Sequence, residues 1–238
     1  MRSTKQLLLP VTQGGLVQQC ATTRVSGVLC RDGTYDASIV KSVRSEYGWM
    51  SVRGKTVLDI GGNIGAYARL AAELGAKKVI SVEPEESNFS CLLANTRDLP
   101  CIAPIRGIVG PKKGVGSVYI SESGKNPGNT SSVPMRGRTH KGGISVVAFD
   151  DLLREHAPAV IKIDCEGAEY EFLTKPLPAY VQEVTIELHL SRASWRTAAE
   201  NIKSLFAGWE VVTLPRLEGA SWHTIGAWRR ASKLRTRT

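Results

Sequence analysis

Residues 57–65, VLDIGGNIG, decide how this chain folds. An apolar run that ends in an acid and passes through Gly61, Gly62 and Gly65 into helical periodicity reads as a strand, a tight turn and a helix. Ile64, Ala68, Ala71 and Leu74 fall near one helical face, which stops at Gly75. KVISV (78–82) follows as a second strand. Working outward, the Val- and Ile-rich runs CIAPIRGI (101–108), VIKID (160–164) and EVTIEL (183–188) alternate with helical segments, the pattern of a parallel sheet covered on both faces.

Near the C-terminus, Trp195, Ala199, Ile202 and Phe206 form a helical stripe that leads into WEVVTL (209–214) and then HTIGAWR (223–229). About eight residues join those two runs, too few for a parallel crossover, so they are expected to be antiparallel neighbours. The fold class that results is α/β: a doubly wound, Rossmann-like, mostly parallel sheet with a terminal antiparallel strand. Three segments are expected: an N-terminal cap (1–54), in which Ile39, Val43 and Tyr47 suggest a short helix, a main domain (55–230) and a basic tail (231–238). Residues 121–143 read as loop from their Gly, Ser and Pro content, and a loop of that length is expected to be a mobile lid.

The glycine turn implies a ligand. Gly61, Gly62 and Gly65 let the backbone approach a bound molecule closely, and the helix start offers free N–H groups. Glu83, 24 residues after Asp59, stands at the end of the second strand, where an acid can take both hydroxyls of a ribose. The gaps between Gly61, Asn63 and Gly65 are two and two, whereas the dinucleotide fingerprint needs two and three. The turn therefore has the D-x-G-x-x-x-G form found in methyltransferases. The expected cofactor is S-adenosyl-L-methionine, held by Asp59, Gly61, Gly62, Asn63, Gly65 and Glu83, with Asp59 placed to help hold its ammonium.

At this point the chain resembles the FkbM-type methyltransferases over about residues 31–190. The resemblance rests on RDGTYD (31–36), VLDIGGNIG, VEPEESNFSCLLANTR (82–97), NTSS (129–132), FDDLL (149–153) and IKIDCEGAEYEFL (161–173). The usual turn of that family carries alanine where this chain has Gly62. The resemblance implies class I methyltransferase architecture, cofactor binding by the Asp59–Gly65 turn and Glu83, and methylation of hydroxyls on sugars or natural products.

On the reaction side, Asp164 and Glu166 follow one strand, while Glu187 and His189 end its expected neighbour. A period of two lets each pair share a face. Methyl transfer to an alcohol needs a positioned acceptor and a group to take its proton, so His189 is the expected base, with Asp164 or Glu166 orienting it. The same four groups have the mixed oxygen and nitrogen donors of a divalent-metal site, an alternative left open. Lys162 reads as strand-end support.

Composition bounds the partners. With 42% hydrophobic and 22% charged residues the chain is ordinary globular material. Leu7–Val11 is far too short to span a membrane, so no membrane partner is expected. Five scattered cysteines without a C-x-x-C pair argue against a disulfide framework or structural zinc and for a cytoplasmic location. The net charge of +9 is concentrated: residues 110–143 and 229–238 carry +5 each, leaving −1 for the rest. The expected acceptor is a hydroxyl-bearing small molecule or glycan. A nucleic acid drawn to the basic segments is the alternative. Against it, Asp164 is followed by Cys-Glu-Gly and not by the two prolines and aromatic residue of amino-methyltransferases. The strand at 183–188 also lacks the lysine of RNA ribose methyltransferases. The oligomeric state is not legible in the sequence.

Overall fold

The computed structural model describes residues 9–13, 16–20, 22–121, 130–134, 138–189, 193–214 and 222–229. Two hairpins come first, β1 (Leu9–Gln13) with β2 (Leu16–Cys20) and β3 (Thr22–Val25) with β4 (Val28–Arg31). Helix α1 (Asp36–Tyr47) follows and buries Val40, Val43 and Tyr47, matching the stripe expected there. Its entry is clamped by the two ends of RDGTYD: the Arg31 guanidinium donates to both Asp36 carboxylate oxygens at 2.8 and 3.0 Å, to Asn88 Oδ1 at 2.8 Å and to Ser87 Oγ at 2.7 Å. Both charges are buried, and the bidentate pairing offsets their loss of hydration.

The central sheet then builds from β5 (Thr56–Ile60), α2 (Ala66–Glu73), β6 (Lys78–Glu83), α3 (Glu86–Thr96) and β7 (Ile102–Arg106). At Gly107 the chain leaves this sheet and passes close to Ser145: a Cβ there would lie 3.0 Å from the Ser145 carbonyl oxygen. The predicted strand 101–108 is therefore split, and its last residue opens β8 (Ile108–Gly110). Strands β9 (Gly114–Ser121), β10 (Thr130–Ser131) and β11 (Arg138–Ala148) join β8 in a second sheet of order β10-β9-β11-β8. The loop expected at 121–143 is thus corrected for 121, 130–131 and 138–143, which are strand. Val118 and Ile144 bury a small apolar seam there that the surrounding Gly and Ser content hides. Residues 122–129 and 135–137 of the expected lid, and the basic tail 231–238, lie outside the described residues.

Helix α4 (Phe149–His156), β12 (Val160–Ile163), α5 (Glu169–Phe172), β13 (Glu183–His189), α6 (Ala193–Ser204), β14 (Trp209–Thr213) and β15 (Trp222–Arg229) complete the chain. The seven-stranded order is β14-β15-β13-β12-β5-β6-β7, parallel except for β15. The antiparallel strand is last in the chain but not at the sheet edge. Its Ile225 and Ala227 are fully buried and pair along β13, while half-exposed β14 takes the edge. Two apolar cores flank the sheet. One joins α4, α5 and α6; the other joins α1, α2 and α3. Among the described residues no helix is long and apolar enough to cross a membrane.

Candidate active site

Parallel strands place their carboxyl ends on one edge of the sheet, and that edge opens into a cavity of about 350 Å³. The volume lies within the range of small-molecule sites. One wall is the glycine turn. Gly61 and Gly62 N–H groups both donate to the Val82 carbonyl oxygen at 3.0 Å, which ties the turn to β6. Gly61 has φ +82, and a Cβ on it would stand 1.7 Å from the Asp164 carbonyl oxygen. No other residue permits that approach of β5 to the end of β12. Gly65, φ +86, starts α2. Asn63, φ +48, donates its N–H to Glu83 Oε2 at 2.8 Å, while its own Oδ1 is buried without a hydrogen-bond partner.

Glu83 closes this wall. The Glu85 N–H donates to its Oε1 at 2.9 Å and the Asn88 amide at 3.3 Å; burial nevertheless pushes its carboxyl up to about 7. Of the six expected cofactor residues, Gly61, Gly62, Asn63 and Glu83 line the cavity. Asp59 does not. It is fully buried beneath the turn, accepts from Ser81 Oγ at 2.7 Å and lies 3.4 Å from Lys162 Nζ. A carboxylate so enclosed supports the turn from behind, with its Oδ1 left without a hydrogen-bond partner. Lys162 also donates to the Gly61 carbonyl at 2.8 Å and lies 3.6 Å from Asp164. Burial alone would lower its ammonium, but Asp59 and Asp164 raise it above the ordinary lysine range.

Next to this turn the cavity is also lined by Asp164, Glu166, Glu187 and His189, which the structure brings together. Register is the cause. Ile163 pairs with Ile186, so Asp164 and Glu187 leave adjacent strand ends side by side. Glu166 sits at φ +55, and its carbonyl accepts from Ser131 Oγ at 2.6 Å, which gives the NTSS motif a role in holding this bend. His189 Nε2 lies 3.4 Å from Glu166 Oε2 and 3.4 Å from Glu187 Oε1. Its Nδ1 lies 3.3 Å from Oε1 of Glu169, a fully buried carboxylate that also accepts the His189 N–H at 3.1 Å and the Gly167 N–H at 2.9 Å.

Three carboxylates around one imidazole change its chemistry. Burial alone would lower His189, but hydrogen bonds to Glu169 and Glu187 carry it up to about 11. The carboxylates around the expected base, His189, thus favour its protonated form. Burial lifts Glu166 to about 7, against the opposing pull of His189. Burial and the nearby Asp164 lift Glu187 to about 7 as well. Sequence reasoning missed Glu169, because its partner His189 is 20 residues away. It also missed the α1 wall of Tyr35, Ser42, Glu46 and Tyr47, whose facing partners are distant in the chain.

Similarity to known proteins agrees with this edge of the sheet. A crystal structure of the methyltransferase FkbM from Methylobacillus flagellatus KT shares the fold with a TM-score of 0.53 at 17% identity, over 79% of this chain. The chain spans only 47% of that protein's length. Looser likenesses are the precorrin-6y C5,15-methyltransferase from Geobacter metallireducens GS-15 (TM-score 0.45, 9% identity, 84% of this chain and 92% of that one) and the ribosomal protein L11 methylase from Lactobacillus delbrueckii subsp. bulgaricus (0.45, 13%, 81% and 79%). No curated protein matches the sequence. Residues 59–210 match the methyltransferase FkbM domain. Because that match covers more than half of the chain and contains both strand ends that face the cavity, the chain belongs to the FkbM methyltransferase domain family.

Proposed function

We propose that the protein uses S-adenosylmethionine to methylate a hydroxyl group of a glycan or small natural product. The observation that carries this reading is that the glycine turn with Glu83 and the carboxylate group around His189 line one cavity. The residues present fit the cofactor. The unpartnered Asn63 Oδ1 is an acceptor without a donor, and Glu83 is an acid beside the turn in the place that takes ribose hydroxyls. When bound, the cofactor supplies an electrophilic methyl group. Glu83, Gly61, Gly62 and Asn63 would hold it, and Gly65 and Asp59 would keep the turn in shape.

The remaining work falls to the carboxylates. Glu166, with a side chain about one-quarter exposed and a carboxyl lifted towards neutrality, is placed to take the acceptor hydroxyl's proton. His189, held as a cation by Glu169, steadies the ionised form of Glu166, and Asp164 orients the acceptor. Residues 1–54 serve as a cap on the domain of 55–230, with Tyr35, Ser42 and Glu46 forming the acceptor side of the cavity.

Calorimetric titration with S-adenosylhomocysteine, and separately with NAD, tests the cofactor. Binding of the first alone is expected, and an acceptor screen of hydroxylated glycans followed by RNA then tests the substrate class. Binding of NAD alone, or of neither, removes the proposal. The affinity should also depend on pH. Glu83 accepts hydroxyl hydrogens as a carboxylate, and its carboxyl lies at about 7, so binding should be full above pH 7. Below that it should weaken by up to about tenfold per pH unit. Glu83→Gln should flatten the profile and lower affinity; a flat profile in the unaltered protein would contradict the role of Glu83.

A further inference from the structure

We infer that Asp164, Glu187 and His189 form a site for one hard divalent cation, of the magnesium or manganese type, between the glycine turn and the acceptor side of the cavity. This rests on the proposed methyl transfer only for its purpose, not for its geometry. One oxygen from each carboxylate and one imidazole nitrogen all lie within 4.8 Å of one another. An octahedral ion with bonds of ~2.1 Å sets its ligand atoms about 3 Å apart when adjacent and about 4.2 Å when opposite, so small side-chain adjustments close the set.

The second observation is the mounting of the imidazole. The side chain of His189 is 8% exposed, and Glu169, itself fully buried, occupies the Nδ1 side. Nε2 is thereby aimed at Glu187 and Glu166, 3.4 Å from each. A buried carboxylate behind a histidine, fixing which nitrogen faces outward, is the outer-shell arrangement that orients metal-ligating imidazoles. Hydrogen bonding alone does not require it.

Charge balance points the same way. Asp164, Glu166, Glu169 and Glu187 place four carboxylates around one imidazole. Two other cations act on this group: Lys162, which is committed to Asp59, Asp164 and the Gly61 carbonyl, and Arg138, whose charge favours ionised Glu166. In the metal-bound state the imidazole is neutral, and the dication takes over the balancing of these carboxylates, Glu166 included. The donor set of two carboxylates and one imidazole suits manganese or magnesium better than a thiolate-seeking metal; Cys165 lies nearby, but its thiol is engaged with Glu169 at 3.4 Å. Asp164 is the most exposed of the three ligands and opens the site towards the cavity, leaving positions for oxygens of an acceptor. A neighbouring pair of hydroxyls, as on a sugar or catechol-like ring, would fill two of them. The cation would also acidify the hydroxyl to be methylated and leave Glu166 free to take its proton.

The test is manganese binding by the full chain, stripped with a chelator and titrated with Mn²⁺ alone, read by the electron paramagnetic resonance signal of free Mn²⁺. One ion per chain is expected. Asp164→Asn and Glu187→Gln should each weaken binding at least tenfold, while Asp150→Asn, a remote acid paired with Lys175, should not change it. Circular dichroism and the thermal unfolding midpoint of the same variants show that they are folded. Absence of stoichiometric Mn²⁺ binding, or binding indifferent to both ligand substitutions, overturns the site even if the cofactor binds. Stoichiometric binding lost in both variants supports it even if the cofactor reading fails.

Discussion

Glu166→Gln is expected to lower kcat by about 10²- to 10⁴-fold, the contribution of a positioned general base, with S-adenosylhomocysteine affinity kept within about twofold. Glutamine preserves the shape of the side chain and a donor and acceptor at its end, but cannot accept the acceptor's proton. The backbone there is already left-handed and held by Ser131, so the substitution should leave the bend intact. Steady-state kinetics together with calorimetry decide the matter. Turnover unchanged in the variant would move the base to another carboxylate, and loss of both turnover and cofactor binding would show that Glu166 supports the turn instead.

A second large effect is expected at Gly61. Alanine there must adopt φ near +82, which costs a residue with a Cβ about 1–2 kcal/mol. It must also push aside the Asp164 carbonyl, a backbone atom 1.7 Å from the added carbon, and overpacking of that kind costs about 1–3 kcal/mol more. The sum, about 2–5 kcal/mol, corresponds to a fall in Tm of roughly 5–15 °C for a chain of this size. Because the displaced carbonyl belongs to Asp164, cofactor affinity and turnover should fall together. Gly208 supplies the control: its φ is also +82, yet nothing lies within 4 Å of a Cβ, so Gly208→Ala should show only the conformational cost. Equal losses of Tm in the two variants would refute the steric argument.

The motifs that carry the site were legible because each is local. VLDIGGNIG contains its own strand, turn and helix start, and Glu83 follows one helix later at the end of the adjacent strand. The strand-end carboxylates Asp164, Glu166 and Glu187 and the imidazole of His189 were legible as residues that could meet. How they meet was not. The protonation of His189 depends on Glu169, 20 residues distant, on Glu187 beside it and on Glu166 across the strand gap. No periodicity reports a charge held in place by three chain segments. The second sheet was missed for another reason: its apolar positions are few and interrupted by Gly and Ser, so composition pointed to loop where pairing between β9 and β11 makes strand.

The sequence by itself determined that the chain forms a mostly parallel α/β sheet with a cofactor-type glycine turn at one strand end. Continuous Val and Ile runs, helical stripes and a turn that only glycine tolerates are properties of short segments, and short segments carry them whatever surrounds them. The tertiary structure alone decided that β15 lies inside the sheet, that Asp59 is enclosed beside Ser81 and Lys162, and that His189 is surrounded by Glu166, Glu169 and Glu187. Each of these depends on burial and on the distance between charges far apart in the chain, quantities that exist only once the strands have chosen their neighbours.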